Sequence, residues 1–147
     1  MIEDKGLNYG IIGNCKSSAL INADSSIDWC CLPQFDSSAV FCKIIDEKIG
    51  GSFKIEVDKS YIITQHYLNN TAILKTNFRN NENEFEVLDF MTRFKLDDKN
   101  FYNPPELQRI IRPIRGLPKI KVLYNPTLYY ANGKTKTYKK EDFIVSV

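Results

Sequence analysis

The stretch "DSSIDWCCLPQFDSS", residues 24–38, holds three aspartates, two adjacent cysteines, the chain's only tryptophan and a proline. Glycoside hydrolysis needs two carboxylates flanking one bond, so Asp24, Asp28 and Asp36 raise the question of acid and base catalysis. Each position also has a plainer reading. Asp24 suits a turn and Asp36 suits the approach to a helix, while Asp28, inside a strand beside Trp29, has no local structural reason. Metal chemistry is not indicated, because Cys15, Cys30, Cys31 and Cys42 lack paired C-x-x-C spacing and the single histidine, His66, lies far downstream. No metal or other cofactor is expected. In an extended strand Cys30 and Cys31 point to opposite faces, which reads as buried free thiols with no disulfide.

The elements around this stretch are governed by period-two alternation. In "GSFKIEV", Phe53, Ile55 and Val57 share one face and Lys54 and Glu56 the other; "AILKTNFRN" sets Leu74, Thr76 and Phe78 opposite Lys75, Asn77 and Arg79. Further strands are expected in "YGII", "SALINA", "IDWCCL", "SYIITQHYL", "EFEVLDF", "LQRIIRPI", "KIKVLY" and "DFIVSV", separated by turn clusters such as "ADSS", "EKIGG" and "NNEN". About ten short antiparallel strands make a β-sandwich. "LINADSSIDWCCLP" reads as a hairpin turning at Asp24-Ser25-Ser26, whose side chains can bond the following amides, and ending at Pro33. One short helix is expected over 38–48, where Val40, Phe41, Ile44 and Ile45 recur at helical spacing between a serine cap and Gly50 or Gly51. The polar stretch "KLDDKNFYNPPE", residues 95–106, reads as a long loop.

A chain of 147 residues, 43% apolar and 26% charged, is the size of one globular domain. No basic start leads into an apolar run, and nothing approaches the roughly 20 apolar residues of a membrane span, so a cytoplasmic protein is expected. The net charge of +2 is unevenly placed: residues 107–140 hold nine Lys or Arg and no acid. Interleaved with Tyr124, Tyr129, Tyr130 and Tyr138, these cations could hold phosphates and stack bases, but a lysine-rich sheet edge is the commoner meaning and nucleic acid is not the expected partner.

The run "GNCKSSALINADSSIDWCCLPQFDSSAVF", residues 13–41, resembles the opening of glycoside hydrolase family 15 proteins, the glucoamylase, glucodextranase and trehalase-like enzymes. Asn14, Asp24, Ser26, Ile27, Asp28, Trp29, Cys31, Pro33, Phe35, Asp36, Ser37 and Phe41 match the pattern of I-G-N, a small-residue strand, D-G-S-I-D-W and C-x-P-x-F-D-S. Weaker likeness continues through "GGSFKI", "YLNNTAILKTNF", "EVLDFM" and "IRPIRGLPKIKVLYNPTLYY". Ser25 stands where the family favours glycine, and Asn125 where aspartate is usual.

The resemblance implies a supersandwich-like N-terminal domain over 1–147, which in the family continues into further strands and then an (α/α)₆ barrel. The barrel carries the two catalytic glutamates of an inverting hydrolase, so no catalytic residue is expected in this chain. The implied partner is that barrel, with an α-glucan or trehalose-type sugar as the substrate class and self-association as a further expectation. Asp28, Trp29, Pro33, Phe35, Asp36 and Phe41 are the residues placed at a substrate-binding or barrel-docking surface. The segment "LPQFDSSAVF" is expected either to leave part of its apolar set, Phe35, Val40 and Phe41, bare, or to fold Phe35 and Phe41 back as a cap on the open end of a monomeric sandwich, and "DFIVSV" to leave an unpaired edge. A stand-alone carbohydrate-binding module is the other function to weigh, with Trp29 or the tyrosines of "TLYY" stacking on sugar rings.

Overall fold

The computed structural model describes residues 8–147; the reading of the chain's first residues, 1–7, lies outside them. Alternating apolar residues need a face to be buried against, and here two antiparallel sheets supply it for each other. The first half of the chain forms β1 (Tyr9–Gly13), β2 (Ser18–Asn22), β3 (Ile27–Cys31), β4 (Ala39–Phe41) and β5 (Ser52–Glu56). Next come β6 (Ile62–Tyr67), β7 (Leu74–Arg79), β8 (Glu84–Met91), the two-residue strands β9 (Phe94–Lys95) and β10 (Phe101–Tyr102), and β11 (Leu107–Arg115). The chain then forms β12 (Lys121–Asn125), a 3₁₀ turn at Leu128–Ala131, β13 (Thr137–Lys139) and β14 (Ile144–Ser146).

One sheet runs β1-β2-β3-β5-β12, with β4 also paired to β3, and the facing sheet runs β11-β8-β7-β6. The core lies between them: Ile12, Ala19, Ile21, Ile27, Cys30 and Phe41 pack against Leu74 and Met91. Beside that cluster, Ile55 packs against Phe78, Phe85 and Val87, with the Phe78 and Phe85 rings stacked at 4.5 Å. The mainly β, antiparallel sandwich expected from the sequence is the architecture found. Among the described residues no helix is long and apolar enough to cross a membrane.

Two local expectations are corrected. Residues 38–48 form no helix, because Ala39 and Phe41 pair with Cys31 and Cys30 and extend the sheet as β4. Downstream, the Asp46 carboxylate accepts the amides of Lys48 and Ile49, which holds the segment in turns. The 95–106 stretch is not featureless: Asp97 accepts the Lys99 and Asn100 amides and closes the small β9–β10 hairpin. The "DFIVSV" strand β14 pairs only with β13, in a separate two-stranded sheet, so one of its edges is unpaired as expected.

Gly51 fixes how β5 meets β12. Its φ is +67°, and a Cβ there would sit 2.3 Å from the Asn125 carbonyl oxygen. Gly51→Ala is therefore expected to lower stability by about 2 kcal/mol or more in urea denaturation, from combined left-handed strain and backbone clash. An unchanged midpoint would contradict this account of the β5–β12 approach.

Candidate functional site

The hairpin of the opening stretch is set by a residue before it. The Asn22 side-chain oxygen accepts the amides of Asp24 and Ser26, both at 2.9 Å, so Asn22 forms the turn assigned from sequence to Asp24 and the serines. Asp24 is exposed. Ser25 takes φ +62°, which gives the physical reason for glycine at this position.

The β2–β3 register then skips a residue, pairing Leu20 with Trp29 and Ile21 with Ile27, and Asp28 is the bulged residue between. Its side chain is re-aimed into a closed network. Ser26 Oγ donates at 2.5 Å, and Tyr9 Oη and Asn22 Nδ2 each donate at 3.1 Å. Lys43 Nζ stands 3.9 Å away. At 2% exposure both carboxylate oxygens are occupied, which suits Asp28 to holding strands rather than meeting a substrate. Burial and the Asp28 carboxylate push the Tyr9 hydroxyl up to about 12.

The other residues singled out in the sequence are dispersed. Trp29 is half-buried against a small cluster of Cys31, Ala39 and Cys42 on the outer face of the first sheet. Pro33 follows a cis bond and is exposed, as are Asp36 and Phe35, the last at 58%. Phe41 is a core residue, packed edge-on to Tyr124 and tilted against Phe53, and Val40 packs against the same core. Of the set Phe35, Val40 and Phe41, Phe35 alone is exposed and the other two turn inward. Cys30 and Cys31 do face opposite sides, and burial beside Cys31 raises the Cys30 thiol to about 12, leaving it inert.

Sequence reasoning missed the most connected side chain among the described residues. Arg109 on β11 donates to both oxygens of Asp89 on β8, at 2.7 and 3.0 Å, with the two side chains only 3% and 0% exposed. The same guanidinium reaches the facing sheet. It donates to the Phe53 carbonyl at 2.9 Å, to the Ser25 carbonyl at 2.8 Å and to Ser25 Oγ at 3.3 Å, and it lies 4.9 Å over the Phe53 ring. Burial pushes the Asp89 carboxyl above its ordinary value, against the opposing pull of Arg109. The available signal was an arginine and an aspartate on the apolar faces of two adjacent alternating strands.

On the outer face of the second sheet, Glu86 bonds Arg112, with Nε at 2.7 Å, and Lys75 at 3.3 Å. Burial alone would raise this carboxyl; the two cations outweigh it and hold it below its ordinary 4.5.

These features define a two-sheet antiparallel sandwich whose buried polar groups act inside the fold. More particularly, the chain belongs to the trehalase-like N-terminal family, whose profile matches residues 7–146. It is 32% identical over 129 residues to a trehalase of Thermoplasma volcanium, covering 86% of this chain and 20% of that protein. With trehalase 2 of Sulfolobus acidocaldarius it shares 30% over 139 residues, 95% of this chain and 22% of that one. A trehalase of Thermoplasma acidophilum is 33% identical over 118 residues, 78% and 20% of the two chains. The chain thus spans about a fifth of the length of these relatives. No solved structure matches.

Two outcomes follow from the ion pairs. Arg109→Leu leaves a buried carboxylate without its partner and is expected to cost about 3–5 kcal/mol in urea denaturation, with part of the loss recovered in Asp89→Leu/Arg109→Leu. The lowered Glu86 value means its contribution is fully present above pH 4.5 and is lost as pH falls through the folded-state value. Arg112 is half-exposed, so Arg112→Ala is expected to cost only about 1 kcal/mol at neutral pH, and the difference in melting temperature between variant and parent should shrink as pH falls below 4.5.

Proposed function

We propose that this chain is the non-catalytic N-terminal sandwich of a trehalase-like hydrolase of glycoside hydrolase family 15, acting by packing against a separate catalytic domain. The observation that carries this reading is the family match over residues 7–146 in a chain about a fifth as long as the trehalases it resembles. The condition of its carboxylates supports it. Asp28 is sealed in a hydrogen-bonded network, and Asp24 and Asp36 are exposed turn and loop residues. The docking surface in this proposal is built around Phe35, whose ring stands in solvent on the loop that leaves β3. Sugar processing is then the parent protein's activity, and the sandwich contributes to it by holding the catalytic domain.

Two measurements test this. The purified chain is expected to release no glucose from trehalose, maltose or dextrin; turnover that Asp28→Asn or Asp36→Asn abolishes would overturn the reading. Phe35→Asp should leave the melting temperature of the isolated chain unchanged and lower that of the full polypeptide in which it is joined to a catalytic domain. Equal effects in both would remove Phe35 from the docking surface.

A further inference from the structure

Three consecutive non-glycine residues, Tyr129, Tyr130 and Ala131, occupy the left-handed region with φ of 54°, 57° and 61°. Bulky residues rarely adopt this conformation, and one such residue already costs stability. Nothing gained by burial offsets it: Tyr129 is 67% and Tyr130 50% exposed. The turn is held from outside by several bonds. The Thr127 amide donates to the Val40 carbonyl at 2.9 Å, Thr127 Oγ1 to Gly50 at 2.5 Å, and the Leu128 amide to Thr135 Oγ1 at 2.9 Å. Thus β4 and its neighbouring loops fix a strained turn whose product is two tyrosines presented to solvent.

The rings do not stand alone. Tyr130 lies 6.2 Å from the half-buried ring of Trp29, tilted by 39°, and its hydroxyl donates to the Ser37 carbonyl at 3.3 Å. Trp29 is in turn backed by Cys31, Ala39 and Cys42. The result is a surface on the outer face of the first sheet made of the Trp29 indole and the Tyr130 phenol, with the exposed Tyr129 next to the latter in the chain and the Ser37 loop bonded at its border.

We propose that Trp29, Tyr129 and Tyr130 form a binding shelf for a neutral pyranose, a site separate from any catalytic centre. Aromatic faces pair with the C–H faces of sugar rings, and an amphipathic phenol or indole offers apolar area beside a polar tip. The tilt between Trp29 and Tyr130 leaves no parallel slot for a flat base. The choice of a sugar rests on the proposed membership of a glycoside hydrolase. The shelf itself requires no hydrolysis, so its failure would leave the docking reading intact.

The sole tryptophan is part of the shelf, so its fluorescence reports occupancy directly. Titration of the chain with trehalose and with maltose is expected to give a saturable change with at least one of them. Sorbitol and a single-stranded oligonucleotide should give none. Tyr129→Gly and Tyr130→Gly remove the rings and relieve the left-handed strain together. Each is expected to weaken binding about tenfold while the melting temperature holds or rises, a combination that a merely structural role for these tyrosines would not produce. The proposal is overturned by no saturable change with either disaccharide, by undiminished binding in the doubly substituted chain, or by saturation with the oligonucleotide instead.

Discussion

The guanidinium of Arg109 is the constraint on which the two sheets depend. It sits where four distant segments converge: the strand that supplies it, the β8 strand that supplies Asp89 twenty residues earlier, β5 with the Phe53 carbonyl fifty-six residues earlier, and the Ser25 turn eighty-four residues away. A buried arginine is tolerable only if its charge is matched and most of its donors are used, and here a bidentate carboxylate, two carbonyls and a hydroxyl do both. A lysine could not reproduce this arrangement, because its single ammonium cannot reach acceptors in a planar fork. The left-handed Ser25 follows from the same constraint, since the turn must present its carbonyl and hydroxyl inward. The run "DSSIDW" is thus tied by one end to the facing sheet and by Asp28 to its own.

The opposite flank is closed differently. The Tyr67 hydroxyl accepts the Ile11 amide at 2.7 Å and donates to the Ile11 carbonyl at 2.8 Å, so one phenol satisfies both backbone groups that an edge residue would otherwise expose. Gln65 adds a bond from β6 to the Asn22 carbonyl at 3.1 Å. Asn14, fully buried, caps the β1–β2 turn through the Lys16 and Ser17 amides and donates to the Pro104 carbonyl, fastening the long 95–106 segment to a turn ninety residues earlier in sequence. Polar side chains therefore tie the layers at their edges and turns, and the apolar residues fill the space between.

How much of this was legible follows from the range of each interaction. Alternation is local, so the strands in "GSFKIEV", "AILKTNFRN" and "EFEVLDF" could be read directly, as could the opposed faces of Cys30 and Cys31. The helix expected over 38–48 failed because a three-residue strand is too short to show alternation, and its reason for being extended, pairing with Cys30 and Cys31, lies in another segment. Trp29 was legible as a residue of note but not in its setting, since Tyr130, which meets its ring, comes from a turn about a hundred residues on. Arg109 was hidden for the same reason: within its own strand it looks like one more cation in a basic tract.

That tract takes its meaning from strand order. β11 lies against β8 in a register that sets Arg109 opposite Asp89, Arg112 opposite Glu86 and Arg115 opposite Glu84, and β12 lies against β5 with Lys121 opposite Glu56. A one-residue slip would turn every arginine to the wrong face, and a two-residue slip would bury Arg109 opposite Val87 or Met91 with no carboxylate to meet it. Opposite charges directly across a ladder favour the correct pairing modestly, whereas an unmatched guanidinium in the core penalises the alternatives heavily. The separation of charge along the chain, acidic before residue 107 and basic after it, is thereby accounted for in large part by the fold. It specifies which strands pair and in what register, so four of the nine cations in the tract need no external polyanion to explain them.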